Sequence, residues 1–195
     1  MSVTFIRHAQ SETNIGGVSK PNALITLSPY GETQAEDLAT HIQEKPSHVF
    51  VSEYIRTHQT AAPTLQKFNL QATILPCLNE FNAFSYDTVK GMTGQQRLPL
   101  TRRYWRECDP DKTHGEGSQS FNAFCRQVMQ FITLFEEGSV PDGSLVFGHG
   151  MWFSVFLWLR ENKIKSAVNK QQMAEFFKFL RLSHPENCEM IILSR

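Results

Sequence analysis

The sequence lacks any apolar run long enough to cross a bilayer: the longest, residues 151–159, is less than half of the roughly 20 residues a spanning helix needs. It also lacks an excess of either charge, with 19 Lys and Arg against 19 Asp and Glu. Long-range attraction to nucleic acid or an acidic membrane is therefore not indicated, and recognition of an anion has to be local. Cysteine is sparse. Cys77, Cys108, Cys125 and Cys188 lie far apart, with no CxxC and no tight Cys/His spacing, which argues for reduced, structural thiols over a disulfide framework or a zinc site. No carboxylate cluster has the spacing of magnesium or calcium ligands, so neither a metal nor another cofactor is expected. There is no internal repeat and no low-complexity segment. The first residues show no basic leader followed by an apolar core region, because Arg7 and His8 interrupt the apolar stretch almost at once; the expected location is the cytoplasm.

What is present is ordinary for a globular chain: 195 residues, 41% hydrophobic and 19% charged, read as one compact unit over residues 1–195. An apolar strand, residues 3–6, breaks off into Arg7, His8, Ala9, Gln10, Ser11, Glu12, Thr13 and Asn14. The carboxyl end of a buried strand is where open α/β sheets place their ligand groups. An imidazole held there can act as a nucleophile while the adjacent guanidinium grips an oxyanion bidentately. The competing reading of this octapeptide is a polar loop after a strand, and other stretches have to decide.

Ser28 and Pro29 open a helix that is expected to end near Lys45, before Pro46, with Ala35, Leu38, Ala39 and Ile42 on one face. Val49, Phe50 and Val51 form a second strand, whose end leads through Ser52 to a second arginine, Arg56. A helix follows to about Phe68, with Pro63 expected to kink it or delay its regular part. Residues 72–75 are the third strand. The stretch 78–117 is irregular, with a short helical candidate at 100–107, and a connection of that length inside a compact unit is usually functional. Its basic residues Lys90, Arg97, Arg102, Arg103 and Arg106 read equally as a cap over an anion site and as solvated helix charge. Tyr86, Tyr104 and Trp105 read as a stacking surface or as the stretch's own small core.

Ser118 or Ser120 caps a helix to about Glu137 whose phenylalanines belong to the core. A fourth strand, residues 144–147, then runs into Gly148, His149 and Gly150, a histidine between glycines at a third strand end. The flanking glycines suggest a backbone shaped to let something approach. Residues 151–162 are apolar nearly all round and should be a deeply buried helix, periodicity over 173–182 does not separate helix from strand, and 188–193 read as a last strand. His41, His48, His58, His114 and His184 are expected to be structural or exposed.

Taken in order, these stretches resemble the histidine phosphatase superfamily, with its phosphoglycerate mutase-like fold. The matches are Arg7 to Asn14 with Ala9 in a glycine place; Leu27, Ser28, Gly31, Gln34 and Ala35; Ser52, Arg56, Gln59, Thr60 and Ala61; Leu78, Asn79 and Glu80; Gly115 to Ser118 leading to Arg126; and Val146, Gly148, His149 and Gly150. The resemblance implies a three-layer α/β/α architecture with a mostly parallel central sheet and a lid insertion after the third strand, about residues 79–117. By the same resemblance His8 is the nucleophile, Arg7, Arg56 and His149 clamp the phosphate, Asn14 adds a donor, Ser11 touches phosphate or substrate, and Glu80 protonates the leaving oxygen. The implied activity is a metal-independent phosphomonoesterase working through phosphohistidine on a small phosphorylated metabolite. A phosphoglycerate mutase is the first alternative, disfavoured because the long proline-rich insertion of those enzymes is missing. A catalytically silent binding or regulatory module is the second, disfavoured because the full residue set is present.

Overall fold

The computed structural model describes residues 2–194. Five strands, β1 (Ser2–Arg7), β2 (Val49–Val51), β3 (Ala72–Ile74), β4 (Leu145–Gly148) and β5 (Met190–Ser194), form one sheet in the order β3-β2-β4-β1-β5. The first four are parallel, and β5 closes the β1 edge antiparallel. The strands alternate strictly, as a two-residue period requires. Val3, Phe5, Phe50 and Val146 point to one face, while Ile6, Val49, Val51, Leu145 and Phe147 point to the other.

Helices α1 (Pro29–His41) and α2 (Ile55–Phe68) cover the second face, and α5 (Phe121–Glu136) and α6 (Gly150–Glu161) cover the first, with α7 (Lys170–Leu180) outside α6. The result is the three-layer α/β/α arrangement that the resemblance implies. Phe121, Phe124, Phe131 and Phe135 of α5 and Trp152, Phe153 and Phe156 of α6 are all fully buried, each contributing about 1.5–3 kcal/mol by leaving water. No helix among the described residues is long and apolar enough to cross a membrane.

Several boundaries differ from expectation for identifiable reasons. Helix α1 stops at His41 because Ile42 takes an extended conformation that buries its side chain beside Leu38 and Val49. Helix α2 runs through Pro63 without interruption. Between β3 and α5 lie the one-turn helix α3 (Tyr86–Val89) and the longer helix α4 (Gly94–Glu107). The latter starts six residues before the expected 100, since a reciprocal capping box of Thr93 and Gln96 initiates it despite Gly94 and Pro99. Residues 170–180 are helix α7, begun by a second capping box of Asn169 and Gln172 in a stretch too polar to announce itself. Strand β5 begins at Met190, two residues late, because Cys188 adopts a left-handed turn at φ 60°.

Register is what assembles the site. Arg7 pairs with Gly148, and Val51 pairs with Phe147. The segments that follow, starting with His8, Ser52 and His149, therefore emerge side by side at the carboxyl edge of the sheet.

Candidate active site

His8 leaves β1 with its Nδ1 2.7 Å from the carbonyl of Ala9. A carbonyl only accepts, so Nδ1 carries the proton and the neutral ring presents Nε2 bare. Burial pushes the His8 pKa well below 6.5, and Arg56 and Arg7 push the same way. His149 is fully buried, with its ring centroid 5.2 Å from that of His8. Its Nε2 lies 2.9 Å from Ser52 Oγ, which also accepts the Tyr54 N–H at 3.1 Å. Among the described residues His149 Nδ1 has no hydrogen-bond partner, and burial followed by Arg56 and His8 holds this ring neutral as well.

Two guanidinium groups flank the pair. Arg7 Nη1 donates to the Pro185 carbonyl at 2.5 Å while its buried Nε stays unpartnered. Arg56, 4% exposed, donates from Nη1 to the Asn22 carbonyl at 2.7 Å and stacks over the Tyr54 ring at 4.9 Å. Burial pulls the Arg56 pKa down to about 10. Glu80 is the nearby carboxylate. Its Oε1 accepts the N–H groups of Phe81 at 2.9 Å and Trp152 at 3.0 Å, and its Oε2 accepts that of Met151 at 3.1 Å. It thus caps α6 from outside, which His149 at the N-cap position does not do with its own side chain. Burial raises the Glu80 pKa, opposed by the Phe81 hydrogen bond and by Arg56.

The β1–α1 loop is clamped from three directions, and this gives structural roles to matched residues that carry no chemistry. Ala9 N–H donates to Thr60 Oγ1 at 3.0 Å, Gln10 N–H to Gln34 Oε1 at 2.9 Å, and Ser28 N–H to the Gln10 carbonyl at 2.9 Å. A Cβ at Gly31 would lie 2.0 Å from that same carbonyl, so the loop rests directly on the start of α1. Ala9 is fully buried with Leu27 and Ala35, and its φ is not positive, so the methyl in the glycine place is accommodated. Ser11 donates from both its N–H and its Oγ to Asn14 Oδ1 at 2.9 Å. That fixes the Asn14 amide with its NH2 side uncommitted.

Arg7, His8, Ser11, Asn14, Arg56 and Glu80 all line one cavity of about 350 Å³, walled farther out by Phe81, Phe84, Tyr104 and Trp105. Tyr104 and Trp105 line the cavity and are also buried in the main core, so these two aromatic residues belong to the main core and not to a small core of the stretch's own. None of the four arginines of residues 94–107 lines this cavity. Arg103 pairs with Glu107 at 2.6 Å, Arg102 and Arg106 are exposed, and Arg97 faces a neighbouring cavity with Tyr86 and Glu116.

Two findings lay outside the sequence reading. Ser52, matched but given no task, is the partner that orients His149 from 97 positions away. His184, expected to be structural or exposed, is exposed at the cavity mouth. Its ring would lie 2.3 Å from a Cβ at Gly150, and the Phe5 ring 2.8 Å from one at Gly148. The groups that the two glycines admit are therefore these side chains. His58 bonds the Ser52 carbonyl at 2.8 Å, His114 packs on Phe84 and Tyr104, and His41 and His48 are exposed.

Comparison with known proteins agrees with this arrangement. The sequence profile of the histidine phosphatase superfamily (branch 1) matches residues 3–175. The adenosylcobalamin/alpha-ribazole phosphatase of Salmonella typhimurium is 29% identical over 154 residues, 76% of this chain and 74% of that protein. A putative alpha-ribazole-5'-P phosphatase from Escherichia coli superposes with a TM-score of 0.68 at 25% identity, over 90% of this chain and 84% of that one. The mycobacterial glucosyl-3-phosphoglycerate phosphatase shares the fold, with a TM-score of 0.69 at 20% identity over 98% of this chain and 88% of that one. Strand-end histidines, flanking arginines and a profile match over most of the length converge on one assignment: the chain belongs to the histidine phosphatase superfamily, branch 1, and is a phosphatase.

Proposed function

We propose that the protein is a metal-independent phosphomonoesterase that transfers the phosphoryl group of a small phosphorylated metabolite to His8 Nε2 and then to water. The observation that carries this reading is the Nδ1 to Ala9 carbonyl bond at 2.7 Å, which leaves an unprotonated nitrogen between two arginines. In the first half-reaction Nε2 attacks phosphorus, the bond to the leaving oxygen breaks, and Glu80 supplies that oxygen with a proton. Glu80 Oε2 accepts a single N–H where Oε1 accepts two, so Oε2 retains a lone pair on which the proton can travel. Its raised pKa suits an acid working nearer neutrality.

In the second half-reaction water attacks phosphorus, the bond to Nε2 breaks, and the proton lost by water returns to Glu80. Arg7 and Arg56 neutralise charge spread over the phosphoryl oxygens, which is the task a metal has elsewhere. With Ser52 Oγ donating to Nε2, neutral His149 presents Nδ1–H to a phosphoryl oxygen. Asn14 contributes its free NH2, and Ser11 acts by holding Asn14 in place. Residues 79–117 act as a lid bearing the aromatic wall, and free cysteines are compatible with a cytoplasmic setting.

The test is hydrolysis of p-nitrophenyl phosphate by purified protein with a chelator present, together with alkaline-quench trapping of a base-stable, acid-labile phosphoenzyme. Turnover that persists and an adduct that disappears in His8→Ala are expected. Turnover lost to the chelator and restored by magnesium, or an adduct surviving in His8→Ala, overturns the reading.

A further inference from the structure

Beside the His8 cavity lies a second one of about 450 Å³, and the two share Asn22, Phe81, Ala83 and Phe84 as a common wall. We propose that this second cavity is a specificity subsite in which Arg97 binds an anionic group, carboxylate or phosphate, carried at the end of the substrate remote from the ester that reacts at His8. The proposal rests on the phosphatase reading and extends it to the substrate's other end.

The state of Arg97 is the primary observation. Its guanidinium is half-buried, lies back along the first turn of α4 with Nη2 3.9 Å from where a Gly94 Cβ would sit, and makes no side-chain hydrogen bond or ion pair among the described residues. Burial lowers its pKa with no carboxylate opposing the effect. A partly desolvated cation without a counter-charge is an unfavourable arrangement that a bound anion relieves. The other cation in the cavity, Lys20, is already paired with Glu12. Asp87 and Glu116 also line the cavity but pair with neither cation, so they offer acceptors to hydroxyl groups on the same ligand. The preference is thus for an anion at one point within a polar skeleton and not for polyanions in general.

Geometry connects this cavity to the reacting centre. Ser19 donates from its N–H and its Oγ to the Met92 carbonyl, both at 2.8 Å, just before the Thr93 cap that starts α4. Three residues further on, the Asn22 carbonyl holds Arg56 and the Asn22 amide bonds Asn82 at 3.2 Å. Residues 19–22 therefore fix the start of the Arg97 helix and one arm of the phosphate clamp in a single tie. Phe81 and Phe84 in the shared wall give the middle of a two-ended ligand an apolar, aromatic surface to cross.

The experiment uses aryl phosphates that carry, on a short linker, a terminal amide, carboxylate or phosphonate, assayed with the wild type, Arg97→Ala and Arg97→Lys. The wild type is expected to favour an anionic tail over the amide in kcat/KM. Arg97→Ala should reduce that ratio about 10–100-fold, mainly through KM, with partial retention in Arg97→Lys. The anion giving the larger ratio identifies the ligand chemistry. No preference in the wild type, an unchanged ratio in Arg97→Ala, or an equal loss on all three substrates overturns the proposal. Should none of the substrates turn over, the phosphatase reading fails, and calorimetry with non-hydrolysable arylphosphonates bearing the same three tails decides the subsite separately. Affinity for the anionic tails that depends on Arg97 supports it, and equal affinity in wild type and variant overturns it.

Discussion

The strand-end half of the site and the α3–α4 half are built on different terms. At the strand ends the candidate side chains are held by hydrogen bonds, His8, Arg7 and Arg56 to the carbonyls of Ala9, Pro185 and Asn22 and His149 to the Ser52 hydroxyl. Around α4 the basic side chains are exposed, paired with Glu107 in the case of Arg103, or, for Arg97, uncommitted. On the proposed function, the first half holds charge-stabilising groups in fixed positions before substrate arrives, the condition under which they act most strongly. On the proposed subsite, the second leaves Arg97 free to answer to what the substrate carries besides the reacting phosphate. Chemistry and selectivity would then fall to separate parts of the chain.

Substitutions can break this division, beginning with the largest effect. His8→Ala should abolish single-turnover phosphoenzyme formation and reduce steady-state turnover on the order of 10⁴-fold or more, since it removes the nitrogen proposed to take the phosphoryl group. Glu80→Gln should slow alkyl phosphates about 10²–10⁴-fold while an activated phenolate, which departs without a proton, changes far less. A leaving-group series gives the check, and parallel plots for the two proteins would remove Glu80 from proton transfer. The pH profile should follow the same residue. Because its acid form is the reactive one and its pKa is raised, kcat/KM for alkyl phosphates should fall as pH rises through that pKa. The acidic limb, set by the strongly lowered His8, should lie well below 6.5.

Arg56→Ala should cost about 10²–10³-fold on every substrate alike. Ser52→Ala should cost about 10-fold by releasing the His149 ring, with inorganic phosphate binding weakened in parallel. At the small end, Arg102→Ala and Arg106→Ala should change p-nitrophenyl phosphate turnover by less than about twofold, and stability by no more than about 0.5 kcal/mol in chemical denaturation. A large effect from either would show that the second half takes part in the chemistry.

Legibility in the sequence followed the same partition. The strands, the α1 cap at Ser28 and the buried phenylalanines of α5 depend on short periodic patterns, and they lie where those patterns point. The groups at the strand ends were legible because each follows a visible apolar run. Contacts between distant segments were not: nothing near Ser52 announces a bond to residue 149, and nothing near His184 places it over Gly150. The start of α4 and the helical state of α7, which periodicity leaves open between helix and strand, are not legible because both helices begin at capping boxes in polar sequence, where apolar periodicity carries no signal. Arg97 was legible as a charge and not as an unpaired one, because pairing depends on where α4 directs each side chain.

The close seat of the Gln10 carbonyl on Gly31 has a consequence for mutational scanning. An added methyl there has no free volume and meets backbone, so Gly31→Ala must displace the chain two residues from the nucleophile. Such a variant would be scored as an inactive enzyme although Gly31 does not line the His8 cavity. Activity-based maps of this protein will therefore carry a second patch of intolerance along Ser28, Gly31 and Gln34, an imprint of the β1–α1 loop on the start of the helix that supports it. Thermal denaturation of the same variants separates the two patches, because the overpacking at Gly31 lowers the midpoint together with activity, whereas His8→Ala lowers activity with little change in the midpoint.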